Sequence, residues 1–431
     1  MTYAEARQVL TGRVNVEALA VNHGRLAQPD LHRMQRIMEV LDQPQRSYPV
    51  VHLTGTNGKT STARVLSSLV EHMGLVAGTY TSPDLGQVNE RMQRNCDPID
   101  DVSFAEALGA VVAVESLIEP DRLSWFELVT ATALLWFADA PVDMAVVEVG
   151  MLGRWDATNV VDGQVAVVTN IGLDHAAYAG PTRADVAREK AGIVKPGSVL
   201  VLGETDPELA SIFDDLGQAE TWRRGPDWGW TDNRVAYGGR LLDLFTPNAS
   251  YTEMFVPMHG AHMGDNVAAA LAAAEAFFGE PLPEDVVEEG LAGATSPGRL
   301  EVVGHQPLVV LDGAHNVEGM RALLAALREG FDVTGRMHVV FGALIGHDPA
   351  DLLAELDRDS VASFTACAAD WPRAISASDI ASAAERLGLP VATVPSVAKG
   401  VASAVAGAGP DDLVLVTGSL YVVGEARQTL T

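Results

Sequence analysis

The run Gly55-Thr56-Asn57-Gly58-Lys59-Thr60-Ser61 brings two glycines, a cation and several hydroxyls together, which is the chemistry a polyphosphate chain requires. Glycines let backbone N–H groups turn toward an anion, Lys59 offers a charge to the outer phosphates, and Thr60 or Ser61 offers a hydroxyl to Mg2+. The flanks supply the context such a loop needs. "PVVHL" before it reads as a strand. From Thr60 onward Val65, Leu66, Leu69, Val70 and Met73 share one face of a helix, with Gly74 where a C-terminal cap belongs. Strand, Gly-rich loop and helix together are what a phosphate loop demands. The common form G-x-x-x-x-G-K-[ST] wants glycine at position 53, where this chain has Leu53, so the loop is shorter than that of an ordinary ATPase.

The elements that must carry this loop follow from the pattern around it. The β-branched runs "PVVHL", "DMAVVEVG", "GQVAVVTN", "SVLVLG", "PLVVLDG", "MHVVFGA" and "DDLVLVTG" alternate with helical segments, predicting an α/β fold with mostly parallel sheets. Residues 221–257 break the alternation with Trp, Gly and turn residues and predict a small antiparallel insertion. A helix is expected at about 266–278, and Pro297-Gly298 then precedes a fresh set of strands and helices. The predicted division is 1–296 and 297–431, the second part being about 130 residues, an ordinary size for one core.

At 431 residues and 48% apolar side chains, the chain is expected to fold throughout, as two or three domains. With 29 basic against 57 acidic residues its net charge is −28, which repels a nucleic-acid backbone and an anionic membrane surface alike. An anionic substrate must then be met locally, by helix N-termini, a few placed cations and divalent metal. Cys96 and Cys367 lie far apart without metal-ligand spacing, which fits a reducing compartment. No window approaches the ~20 apolar residues of a membrane span, and the start lacks a basic segment followed by an apolar run. A cytoplasmic protein is expected.

The shorter loop resembles that of the Mur ligase superfamily, ATP-dependent enzymes that join a carboxylate to an amine. The likeness is closest to folylpolyglutamate synthase and dihydrofolate synthase. It is carried over nearly the whole chain by "TGTNGKTSTAR", "YTSPDLGQVNERM", "LSWFELVTATALLWF", "DMAVVEVGMLGRWDATNV", "VTNIGLDH", "VAREKAGIVKPG", "SPGRLEVV", "LDGAHNVEGM", "FGALIGHD" and "TGSLYVVGEAR". The resemblance implies an N-terminal phosphate-loop ATPase domain and a smaller C-terminal Rossmann-like glutamate-ligase domain. It implies that ATP phosphorylates a pteroate or folate carboxylate, that L-glutamate's amine attacks the acyl phosphate, and that ADP and phosphate leave. A monomer with only small-molecule partners is implied as well.

Residue by residue, the resemblance puts magnesium among Ser82, Glu148 and His175, with Lys190 as a carbamate helping to hold a second ion. Lys59, Glu148, His175 and Lys190 form the implied catalytic set. ATP is implied to meet Gly55, Thr56, Asn57, Gly58, Lys59, Thr60, Asn266, Arg299 and Asp312. The acceptor is implied to lie against Ser124, Trp125, Phe126, Glu127, Trp155, Asp156 and Ala157, with His315 as a contact for phosphate or glutamate. Taken singly these residues have plainer readings: Ser82 as a turn cap, Glu148 paired with Arg154, His175 as a loop histidine satisfied by backbone, Lys190 as a solvated helix lysine beside Glu189, Trp125 and Phe126 as core. The match departs from the family at Asp84, where His is common, at Met151 and Trp155, at Val317, and at Ile345-Gly346-His347-Asp348. These changes fall mainly near the acceptor. They keep open an amide ligase acting on another carboxylate and, further off, a nucleotide-binding regulator without catalysis.

Overall fold

The structure, a computed structural model, describes residues 1–15, 31–173, 176–346 and 348–431. The short apolar runs pair as parallel strands because each is buried on both faces by crossover helices. Strands β1 (Val50–Thr54), β2 (Ala77–Tyr80), β3 (Met92–Arg94), β4 (Asp97–Pro98), β5 (Met144–Glu148), β6 (Val165–Val168), β7 (Val199–Leu202) and β8 (Glu220–Arg223) form one sheet. Its order is β4-β3-β2-β5-β1-β6-β7-β8, parallel from β2 to β8 with antiparallel β3 and β4 at one edge. A second sheet is built from β12 (Glu301–His305), β13 (Leu308–Leu311), β14 (Met337–Phe341), β15 (Val361–Ala366), β16 (Val391–Thr393) and β17 (Leu413–Thr417). Its order is β12-β13-β17-β14-β15-β16, antiparallel only at β12.

The Trp- and Gly-rich stretch forms a three-stranded antiparallel sheet of β9 (Gly229–Ala236), β10 (Gly239–Phe245) and β11 (Ser250–Val256). It begins later than the sequence predicts. Thr221–Arg223 belong to β8, which pairs in parallel with β7, so Val201 lies opposite Trp222. Trp222 is buried in the same core as Val201, which is why a Trp-containing strand joins the parallel sheet.

The helix Lys59–His72 buries Val65, Leu66, Leu69 and Val70 between the first sheet and the helix His262–Phe278. Ala268 to Ala274 of the latter are all buried, and apart from Leu271 their small side chains let the two helix backbones approach closely. The sheet's other face is covered by the helices Asp101–Val114 and Trp125–Asp139. No helix among the described residues is long and apolar enough to cross a membrane.

Candidate active site

The carboxyl ends of the parallel strands open into one cavity of about 1270 Å³. From the first sheet it is lined by Thr56–Ser61 after β1, Ser82 after β2, Glu148 on β5, Asn170 after β6, Glu204 after β7 and Arg224 after β8. Asp312, Ala343 and Ser419, after β13, β14 and β17 of the second sheet, line it from the opposite side. Strand ends gather polar residues in this way because loops there are free of the sheet's hydrogen-bonding demands.

Gly58 caps the loop helix with φ of +85°, a left-handed conformation that favours glycine. A Cβ there would lie 2.2 Å from Asn266 Oδ1, so the glycine also lets Asn266 approach the loop. Lys59 donates its Nζ protons to the carbonyls of Gly55 (2.9 Å) and Thr56 (3.3 Å), holding the ammonium over the loop. Asn57 is fixed from three directions. Its N–H donates to Asn170 Oδ1 at 2.9 Å and its carbonyl accepts from Thr169 Oγ1 at 2.7 Å. Its side-chain oxygen accepts from Asn316 Nδ2 of the second sheet's side at 3.0 Å.

Glu148 is 1% exposed and accepts Thr60 Oγ1 at 2.9 Å and the Ser82 N–H at 3.3 Å. Burial pushes its carboxyl above the usual carboxylate range, opposed by Lys59, these hydrogen bonds and Arg299. A buried carboxylate beside hydroxyls and facing a phosphate loop is a hard-oxygen donor set that fits Mg2+. Among the described residues no group of three His, Cys, Asp or Glu side chains gathers into a cage; such a mixed set leaves positions for water and phosphate oxygens. Arg154, the plainer partner for Glu148, instead lies 4.0 Å from Glu189. His175 lies outside the described residues. Lys190 is buried at the end of the helix Arg183–Lys190, next to Glu189, which lines the cavity.

Asp312 accepts the N–H groups of Leu300 (2.9 Å) and Ala314 (2.8 Å), which fixes the turn carrying Arg299. Burial raises its carboxyl and Arg299 opposes the rise. Asp312, Arg299, His315 and Asn266 all line the cavity, and His315 Nδ1 lies 2.9 Å from the Gly313 carbonyl.

At the cavity's other end Phe126, Met151, Trp155, Asp156 and Ala157 form the wall. Trp155 is 46% exposed, an aromatic face left open to the cavity. Ser124, Phe126 and Glu127 of the "SWFE" segment line the cavity as expected, whereas Trp125 does not. Ser124 caps the helix Trp125–Asp139 in a reciprocal box with Glu127, and the Glu127 carboxylate also takes Arg33 Nε at 3.0 Å. Trp125 is not among the lining residues; its ring packs 4.5 Å from the Arg91 guanidinium. Arg91 in turn donates to Asp84 at 2.5 Å, so the Asp84 that replaces the usual His forms an ion pair with the guanidinium that lies over Trp125. Thr169, Asn170 and Arg33 were not singled out by sequence reasoning. The first two could have been found as polar residues ending the run "VAVV", whereas Arg33 carries no local signal.

Comparison with known proteins gives two family matches: the Mur ligase middle domain over residues 53–274 and the Mur ligase glutamate ligase domain over residues 298–420. A Bacillus subtilis dihydrofolate synthase/folylpolyglutamate synthase is 33% identical, covering 95% of this chain and 97% of its own. A Mycobacterium tuberculosis folylpolyglutamate synthase, solved with ADP and AMPPCP, superposes with a TM-score of 0.90 and 34% identity, covering 99% of this chain and 98% of that one. A Yersinia pestis bifunctional folylpolyglutamate synthase/dihydrofolate synthase, solved with AMPPNP and Mn ion, gives 0.85 and 29%, covering 100% and 98%.

Proposed function

This chain belongs to the folylpolyglutamate synthase and dihydrofolate synthase family of Mur ligases, and from that premise we propose how its cavity carries out ATP-dependent addition of L-glutamate to a pteroate or folate carboxylate. The observation that carries the reading is one continuous cavity. It runs from Lys59 and Glu148 at the phosphate loop, past Arg299 and His315, to the aromatic wall of Phe126 and Trp155. ATP needs the first region, glutamate an opening between the sheets, and a flat heterocycle the last.

In this reading the N–H groups of Gly55–Thr60 receive the phosphates, and Asn266, Arg299 and Asp312 hold the rest of the nucleotide. Lys59 and Arg299 take up charge that develops as the acceptor's carboxylate oxygen attacks the γ-phosphorus and ADP leaves. Ser82, Glu148, His175 and the carbamate of Lys190 would hold divalent cations, whose chemistry is to neutralise and orient the phosphate oxygens. The amine of glutamate then attacks the acyl carbon, a nitrogen proton is lost, and phosphate departs as the amide forms. His315 is assigned to the phosphate or the glutamate. Phe126, Trp155, Asp156 and Ala157 are assigned to the acceptor, and Ser124, Trp125 and Glu127 to supporting that wall. Closure of the residues 297–431 over 1–296, the division we propose, keeps water from the acyl phosphate.

ADP release is the test. Dihydropteroate plus glutamate is expected to produce ADP faster than either alone. Release with glutamate and a non-pterin carboxylate only would move the acceptor elsewhere, and ATP binding without turnover under any acceptor would make the protein a regulator.

A further inference from the structure

The strand that leads into the phosphate loop also reaches the acceptor wall. His52 on β1 is fully buried, and its Nε2 lies 2.9 Å from Thr158 Oγ1. Thr158 Oγ1 lies 2.6 Å from Asp156 Oδ1, which also accepts the Thr158 N–H at 3.0 Å. Asp156 Oδ2 accepts the Met151 N–H at 2.8 Å. Two residues along β1, on the same face, Thr54 Oγ1 donates to the Leu152 carbonyl. Both side chains from this face of β1 therefore hold the segment 150–158.

The proton positions follow from counting donors. Thr158 has one hydroxyl proton. If it goes to Asp156, the imidazole must donate through Nε2, and His52 Nδ1, which has no partner among the described residues, is an unpaired acceptor. If Asp156 instead carried the proton and donated to Thr158, the hydroxyl would donate to Nε2. Nδ1–H would then be a buried donor with nothing to bond, the costlier fault. Burial also pushes the imidazole down to about 3, with Lys195 adding to the effect, so the ring is neutral and has one proton to place.

We propose that His52 is a positioning residue for the acceptor site: its Nε2–H donates to Thr158, obliging that hydroxyl to donate to Asp156, so that both Asp156 oxygens stay proton-free and the carboxylate keeps its remaining acceptor capacity for an N–H edge of the acceptor's ring. The assignment of Asp156 to the acceptor rests on the functional reading above. Each link polarises the next, and a neutral histidine supplies the directed proton without adding charge to the core.

Kinetics and NMR test it separately. His52→Leu and Thr158→Val should each raise the acceptor KM roughly tenfold, the scale of a lost bond to a charged group. The KM for ATP and kcat should stay within about twofold, because the phosphate end is untouched. His52→Gln and Thr158→Ser, which restore a donor and a hydroxyl, should recover most of the loss. The double variant His52→Leu/Thr158→Val should be no worse than Thr158→Val alone. Equal rises in both KM values, or losses that multiply in the double variant, would overturn the relay. In the wild-type protein, 15N-labelled histidine should show His52 as the Nε2–H tautomer; an Nδ1–H tautomer overturns the proposal whatever the acceptor is. Wild-type protein that turns over no pterin acceptor would sink the functional reading instead, while the tautomer still decides the relay.

Discussion

Glu148 holds a carboxylate at 1% exposure with a hydroxyl and one backbone N–H as its donors among the described residues, an arrangement that costs stability unless a cation joins it. Glu148→Gln keeps the volume and removes the charge. ADP release should fall at least about 100-fold, while the thermal midpoint measured without nucleotide stays level or rises. Activity and midpoint falling together would make Glu148 a structural residue. At this scale the sequence was most legible where a residue type sits in a quoted motif: Lys59, Glu148 and Asp312 line the cavity they were expected to share. It was least legible where a side chain has local work to do. Ser124 and Glu127 cap a helix as well as lining the cavity, and Trp125 packs on Arg91 instead of lining it, because a helix N-terminus and a buried guanidinium claim the nearest polar or aromatic group first.

The loop and its helix are the element proposed to bind the nucleotide. Gly58 combines φ of +85° with a blocked Cβ position, whereas Gly74, after the helix's other end, has φ of +78° and nothing within 4 Å. Gly58→Ala should therefore cost about 1–3 kcal/mol and also weaken ATP binding in calorimetry, since Asn266 must move. Gly74→Ala should cost about 1 kcal/mol with ATP affinity unchanged. A Gly74→Ala variant that loses ATP affinity equally would show that strain alone, rather than the Asn266 approach, accounts for the effect. The central strands were readable from their apolar runs. Strands β2, β15 and β16 escape the sequence reading, being short or mixed in composition, and β8 falls in the predicted insertion because Trp and Arg mask an edge strand that pairs with β7 alone.

Across the whole molecule, the antiparallel sheet is tied to the end of the helix Val317–Gly330. Arg240 on β10, 2% exposed, donates to both oxygens of Glu329 at 3.1 Å, and His259 packs on Phe331 at 4.7 Å between ring centroids. His262, close by, is driven down to about 4 by burial and by Arg299 and Arg240, and His52 to about 3. Both folded values lie below the unfolded histidine value of about 6.5, so between those limits the unfolded chain binds protons that the folded chain refuses. Their contribution is whole above pH 6.5 and falls as pH drops: by pH 5 each should have removed about 2 kcal/mol. Denaturant unfolding at pH 7 and pH 5 checks this. His262→Gln should flatten the pH dependence by about that amount, and an unchanged slope would refute it. The sequence by itself determined the α/β class, the phosphate loop and the family, because these rest on periodicity and on contiguous motifs. Only the tertiary structure decided that β1 holds the segment 150–158 through His52 and Thr158, and that Asn316 reaches Asn57 across the two sheets. Those partners stand 106 and 259 residues apart, and nothing in local sequence encodes a distance that the packing of separate strands creates.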